Sequence, residues 1–197
     1  MPHNASNFSL LSDEELMFCL RNGEVLAFDE LYFRYNKRLL GYFIRMLNFD
    51  KALAEDALQD LFLKIAEAPE KFDTSRSFKT WIFSVASNSC KNFYRHKKIV
   101  LECNEEIKYI NGNVSDSVFL NTASKMDATI FRKMLEEVLN EMSAEKKEAF
   151  ILKYQEEKTI SEIALIQGCP EGSVKSRLHY TIKVLEEKLK IFKPVNY

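Results

Sequence analysis

The segment TISEIALIQGCPEGSVKSRLHYT, residues 159–181, carries in one stretch the signals that decide the fold. Thr159 followed three positions later by Glu162 is a capping box that starts a helix. That helix carries Ile163, Ala164 and Ile166. Gly168 supplies a tight turn, and Cys169-Pro170 leads into a second helix with Val174, Leu178 and Thr181 on its inward face. A capped scaffold helix, a glycine turn and a second helix make the helix-turn-helix pattern, in which the second helix enters the major groove by its N-terminal half.

Residues off that inward stripe face DNA in such a geometry: Glu171, Ser173, Lys175, Ser176, Arg177, His179 and Tyr180. Lysine and arginine reach guanine edges or phosphates, and serine suits a phosphate oxygen. The plainer alternative is an antiparallel helix pair with solvated charges.

Working outward, apolar residues recur at helical spacing nearly throughout, and glycine and proline are few, so the chain reads as all-α. Ser12 with Glu15 is a second capping box, and Asn22-Gly23 closes the short helix it opens. A longer helix follows with Phe28, Leu31, Tyr32, Tyr35, Leu39, Phe43 and Met46 in a stripe, broken by Asn48 to Asp50. The next runs from about Ala52 to Ala68, with Ala54, Ala57, Leu58, Leu61, Phe62 and Ile65 inward, and Pro69 ends it. Another spans Phe78 to His96, its core positions being Phe78, Trp81, Ile82, Val85 and Phe93. From Ile99 to Lys125 the pattern fails around Asn111-Gly112-Asn113, a stretch too long for a loop within one domain. The expected organisation is an N-terminal domain at 8–98, a flexible linker at 99–125 and a C-terminal helix-turn-helix domain at 126–193. In the last of these, Ile130, Phe131, Met134, Leu135, Val138 and Met142 restart the helical pattern, and Ser143 is a candidate cap.

A chain of 197 residues accommodates two such domains. Its apolar runs fall far short of the ~20 residues that span a bilayer, so no membrane insertion is expected. Met1 to Leu11 lacks the basic and apolar segments of a secretory signal, which points to the cytoplasm. Cys19, Cys90, Cys103 and Cys169 are scattered without a C-x-x-C pair, and His3, His96 and His179 have no ligand spacing, so neither metal nor cofactor is expected. No paired carboxylates, phosphate-cradling glycine loop or nucleophile motif points to an enzyme.

The net charge of −1 argues against a simple nucleic-acid binder, but its distribution is uneven. Lys91, Arg95, Lys97 and Lys98 form a basic run without an acid, whereas Glu55 to Asp60 is acidic. On the acidic helix, Asp56, Gln59, Asp60 and Leu63 lie opposite the core stripe. A leucine within a carboxylate and amide patch suits a basic protein partner, although on the residues alone an ordinary solvated face explains it better. On the basic helix, Asn88, Lys91, Asn92 and Arg95 share a face, with Lys79, Thr80 and Trp81 near its start. Lysine and arginine neutralise phosphate and asparagine reads base edges. An aromatic beside a basic groove holds unstacked single-stranded bases. Trp81 has a core-packing reading as well, and one ring edge can pack while the other forms a base step.

Three stretches, Ala27 to Tyr32, Ala54 to Lys64 and Phe78 to Asn88, resemble the N-terminal domain of extracytoplasmic-function sigma factors of the sigma-70 family. Ile163 to His179 is similar to their C-terminal domain. The resemblance implies a transcription initiation factor that directs core RNA polymerase to promoter DNA. It implies that Asp56, Gln59, Asp60 and Leu63 dock on the clamp helices of the polymerase's largest subunit. The loop Asp73, Thr74, Ser75 and Arg76, up to Ser77, would capture a flipped base of the −10 element. Lys79, Thr80, Trp81, Asn88, Lys91, Asn92 and Arg95 would melt and read that element. Lys175, Ser176, Arg177, His179 and Tyr180 would meet the −35 element, with Glu171 and Ser173 added to that set by their place on the outward face of the same helix, and the linker would thread along the polymerase cleft. Many relatives carry a basic-small-basic triplet where this chain has Tyr180-Thr181-Ile182, so weaker −35 phosphate contacts are expected. An anti-sigma factor is a further implied partner. The competing readings are a polymerase-independent helix-turn-helix regulator, and an adaptor that binds polymerase without DNA.

Overall fold

The computed structural model describes residues 5–103 and 123–190, with side chains placed over 8–99 and 129–190. Among the described residues every regular element is helical. A 3-10 turn, Ala5–Leu10, precedes α1 (Asp13–Arg21), α2 (Val25–Met46) and α3 (Lys51–Glu67). A second 3-10 turn, Pro69–Lys71, leads to α4 (Phe78–Cys103). The C-terminal half comprises α5 (Ala123–Asn140), α6 (Ala144–Tyr154), α7 (Ile160–Gln167) and α8 (Glu171–Lys188).

The helix ends follow from local chemistry. Ser12 and Glu15 make both bonds of the expected capping box on α1, at 2.7 and 3.2 Å. Glu14 of the same helix reaches across to accept the Phe78 amide at 2.8 Å, covering a donor at the start of α4. Helix α2 stops where Asn48 and Phe49 take φ of 57° and 65°, a left-handed pair that no helix continues through. Asp50 then caps α3 by accepting the Leu53 amide at 3.0 Å. Ser143 precedes α6, but its side chain makes no capping bond.

Leu31, Tyr35, Leu39, Phe43 and Met46 of α2, with Ala54, Leu58, Leu61, Phe62 and Ile65 of α3, are buried as their spacing predicts. Tyr32 is half-exposed, its ring resting against Phe62 at the edge of the core. Ile130 and Phe131 are also exposed, so the stripe of α5 engages only from Met134 onward. Helix α4 runs to Cys103 and α5 begins at Ala123, so helix occupies both ends of the expected linker. The remainder of that linker lies outside the described residues.

The two halves pack directly on each other. Helix α4 lies against α7, and α2 against α6. One continuous core joins Phe43, Phe83 and Ala86 to Ile151, Leu152, Ile163, Ile166 and Val174. A smaller cluster of Val138, Leu139, Phe150 and Leu185 ties α5, α6 and α8 together.

Candidate functional site

Helix α3 buries one face and presents the other. Asp56, Gln59 and Asp60 are exposed, and Leu63 is 57% exposed among them. The four share a face at helical spacing, so the helix offers an apolar knob ringed by carboxylate and amide groups.

The loop before α4 is preorganised by Asp73. Its Oδ1 accepts the Ser75 amide at 3.0 Å and the Ser75 hydroxyl at 2.8 Å. Those bonds to Ser75 hold the Asp73 carboxyl below the usual carboxylate range. Arg76 pairs weakly with the same carboxylate at 3.4 Å, and Ser75 and Arg76 stand in solvent beside half-buried Thr74.

On α4, Asn88, Asn92 and Arg95 are exposed and follow one another at i, i+4 and i+7. Trp81 is half-buried, its ring centroid 5.1 Å from that of Phe72 and 5.7 Å from that of Phe78. It therefore combines aromatic packing with partial exposure. Thr80 departs from the sequence expectation, being only 8% exposed, so in this conformation it belongs to the core. Lys91 is half-buried, and its ammonium donates to the Gln167 carbonyl at 3.1 Å. The Lys79 carbonyl likewise receives the Lys158 ammonium, at 3.3 Å.

The helix-turn-helix is built as its sequence requires. Thr159 and Glu162 make the capping box of α7, and Gly168 ends that helix at φ 66°. Val174, Leu178 and Thr181 are buried. Glu171, Lys175, Ser176, His179 and Tyr180 of α8 are exposed, with Ser173 half-buried. Arg177 is placed differently. Its Nη1 donates to Gln167 Oε1 at 2.6 Å and to Cys169 Sγ at 3.1 Å, so the guanidinium braces the turn.

Sequence reasoning missed one group altogether. Lys147, Glu148, Glu156 and Lys158 are each 3% exposed or less, where the two halves meet. The Glu156 carboxylate accepts from Arg38 at 3.1 Å and Arg45 at 2.9 Å. Glu148 accepts the Tyr42 hydroxyl at 2.6 Å and the Gln167 amide at 3.0 Å. Lys147 donates to the side-chain oxygens of Asn48 and Asn140 at 2.8 and 2.7 Å. Lys158 lies 4.7 Å from the Phe83 ring centroid. Burial lowers both lysines to about 8. Many of their partners, Arg38, Tyr42, Arg45 and Asn48 among them, come from distant sequence, so local spacing did not mark them.

No group of metal-ligating side chains occurs among the described residues, and no helix there is long and apolar enough to cross a membrane. Two family models match: Sigma-70 region 2 over residues 31–99, and Sigma-70, region 4 over residues 132–183. The ECF RNA polymerase sigma factor SigL of Mycobacterium tuberculosis is 30% identical over 159 residues, covering 79% of this chain and 84% of SigL. The RNA polymerase sigma factor CarQ of Myxococcus xanthus is 26% identical over 169 residues, covering 86% and 92% of the two chains. The sigma factor RpoE of Bartonella quintana, solved with the anti-sigma factor NepR, superposes with a TM-score of 0.68 at 21% identity, covering 84% of this chain and 98% of that one. The chain belongs to the extracytoplasmic-function sigma factors of the sigma-70 family, transcription initiation factors that direct polymerase to promoters.

Proposed function

We propose that four surfaces divide the work of initiation. The α3 face of Asp56, Gln59, Asp60 and Leu63 docks on core RNA polymerase. The Asp73 to Arg76 loop captures a base of the −10 element. Trp81, Asn88, Asn92 and Arg95 hold the opened strand, joined by Lys79 and Lys91 once the latter is free of Gln167. Glu171, Ser173, Lys175, Ser176, His179 and Tyr180 meet the −35 element, with Arg177 supporting the turn behind them. The N-terminal unit is 8–98 with α4 continuing to Cys103, and the C-terminal unit is 126–193 with α5 beginning at Ala123.

The observation that carries this reading is the pairing of an exposed base-reading stripe on α4, Asn88, Asn92 and Arg95 beside half-buried Trp81, with a helix-turn-helix in the same chain. Melting breaks stacking worth ~1.4 kcal/mol per base-pair step, which a near-neutral protein does not supply by itself. Docked on polymerase, two weak DNA modules gain from effective concentration. The protein acts by binding and carries out no reaction of its own, and it works in the cytoplasm where polymerase is. Regulation by an anti-sigma factor is part of the proposal, supported by the sigma factor relatives solved in complex with NepR and with the cytosolic domain of CnrY.

The test is binding of purified core polymerase. Wild-type protein is expected to bind, and the Asp60→Ala, Leu63→Ala double variant to lose that binding while keeping its unfolding midpoint. Equal binding by the two proteins would contradict the docking assignment.

A further inference from the structure

Resting on the sigma factor reading, we propose that Lys146 of α6 is a DNA phosphate contact of the −35 site, held in place by the ring of Tyr180 on α8.

The recognition helix itself is short of free charge. Proteins bind duplex DNA largely through cations that neutralise its phosphates. Over residues 171–180, the N-terminal half of α8, the lysines and arginines are Lys175 and Arg177, and both are engaged. Lys175 pairs with Glu171 at 3.8 Å. Arg177 donates to Gln167 and Cys169 in the turn. Ile182 packs against the cluster of Val138, Leu139, Phe150 and Leu185, so it adds nothing to the outward face. That face is aromatic where the half ends. Tyr180 is 57% exposed, and its ring centroid lies 5.7 Å from that of His179.

Helix α6 packs along α8 and brings a cation to this point. The Lys146 ammonium stands 5.8 Å from the centroid of the Tyr180 ring. That is within the ~6 Å over which a ring face attracts a cation. Among the described residues the ammonium has no carboxylate or carbonyl partner. A ring holds a cation without neutralising it, so the charge and its three donors stay available to a phosphate oxygen. The adjacent lysine shows the contrast. Lys147 is buried, and its ammonium is engaged with Asn48 and Asn140, whereas Lys146 is only half-buried beside the recognition helix.

Tyr180 is the positioning residue of this pair. A lysine stem is flexible, and ordering it on DNA costs conformational freedom. Resting the ammonium on the ring restricts the stem before DNA arrives. The same ring also offers an apolar surface to the groove, where thymine methyl groups are met.

A phosphate contact is blind to sequence, so any B-form duplex reports it. Its signature is salt dependence, each contact contributing about 0.9 to the slope of log affinity against log salt. The experiment titrates a short fluorescent duplex of mixed sequence with the full chain, following anisotropy between about 50 and 200 mM salt. Lys146→Ala should lower the slope by about 0.9, so that the wild-type advantage shrinks about 3.5-fold across that range. Lys146→Gln keeps the stem and should show the same loss, which covers any disturbance of folding by alanine. Tyr180→Leu should lower the slope as well, Tyr180→Phe should keep it, and Tyr180→Leu added to Lys146→Ala should lower it no further. A wild-type slope in both Lys146 variants, with Lys175→Ala lowering it, overturns the proposal and leaves the −35 assignment of α8 standing. A wild-type slope in Tyr180→Leu overturns the positioning role. No duplex binding by wild type, or a slope that neither Lys146 nor Lys175 affects, removes the −35 assignment and the proposal with it.

Discussion

Arg177 Nη1 stands 2.6 Å from Gln167 Oε1, so the recognition helix α8 is anchored to the last residue of the scaffold helix α7. Gln167 is itself fixed, its amide donating to Glu148 at 3.0 Å and to the Glu145 carbonyl at 2.9 Å. In this conformation the arginine expected to read DNA braces the turn between the two helices. Arg177→Ala should lower stability by about 1–3 kcal/mol, the range for a charge-assisted bond and the unsatisfied group it leaves. Urea denaturation without DNA checks this. An unchanged midpoint would return Arg177 to the DNA-contacting set.

The α4 residues separate into two behaviours. Asn88 and Asn92 are exposed, so alanine at both should change stability by no more than about 0.5 kcal/mol. Core binding should survive and promoter-directed transcripts fall sharply. Trp81 packs on Phe72 and Phe78, so Trp81→Ala should also cost stability, about 2 kcal/mol against the ~3–5 of a fully buried aromatic. Denaturation and transcription measured on the same preparations separate the two classes.

Tyr42 is fully buried, and its hydroxyl is a donor to Glu148 across the contact between the halves. Tyr42→Phe keeps the ring and removes the donor, leaving a buried carboxylate one bond short. A loss of about 1–3 kcal/mol is expected in thermal or urea unfolding.

The helix-turn-helix was legible because its determinants are local. A capping box, a glycine in the left-handed region and an inward stripe at 174, 178 and 181 all act within a few residues of each other. The exposed face of α3 followed from periodicity for the same reason. The burial of Thr80 was not legible, because threonine is equally at home in a core and at a surface and tertiary packing decides between them. Lys147 and Lys158 were invisible because their burial depends in part on acceptors 79 to 101 positions away, Met46, Asn48 and Lys79, beside nearer ones.

Those lysines give the protein an unusual alkaline response. Burial sets both at about 8, below the ordinary lysine value, so between pH 8 and ~10.4 the unfolded chain binds more protons and stability rises with pH. Burial pushes the Cys90 thiol well above its ordinary value and Tyr94 up to about 12. Stability from those groups is present below their unfolded values and lost as pH climbs past them. Stability should therefore rise from pH 7.5 to a maximum near ~9 and fall beyond it. Urea midpoints across that range check the shape, and Lys147→Met should flatten the rising limb.

The most direct test of the central claim is run-off transcription with bacterial core polymerase, this protein and fragmented DNA from the source organism, mapping RNA 5′ ends. The account predicts new start sites that share upstream −10 and −35 sequences and vanish with the Asp60→Ala, Leu63→Ala variant. No new starts from a host-matched core, shown to be active with another sigma factor, would contradict it.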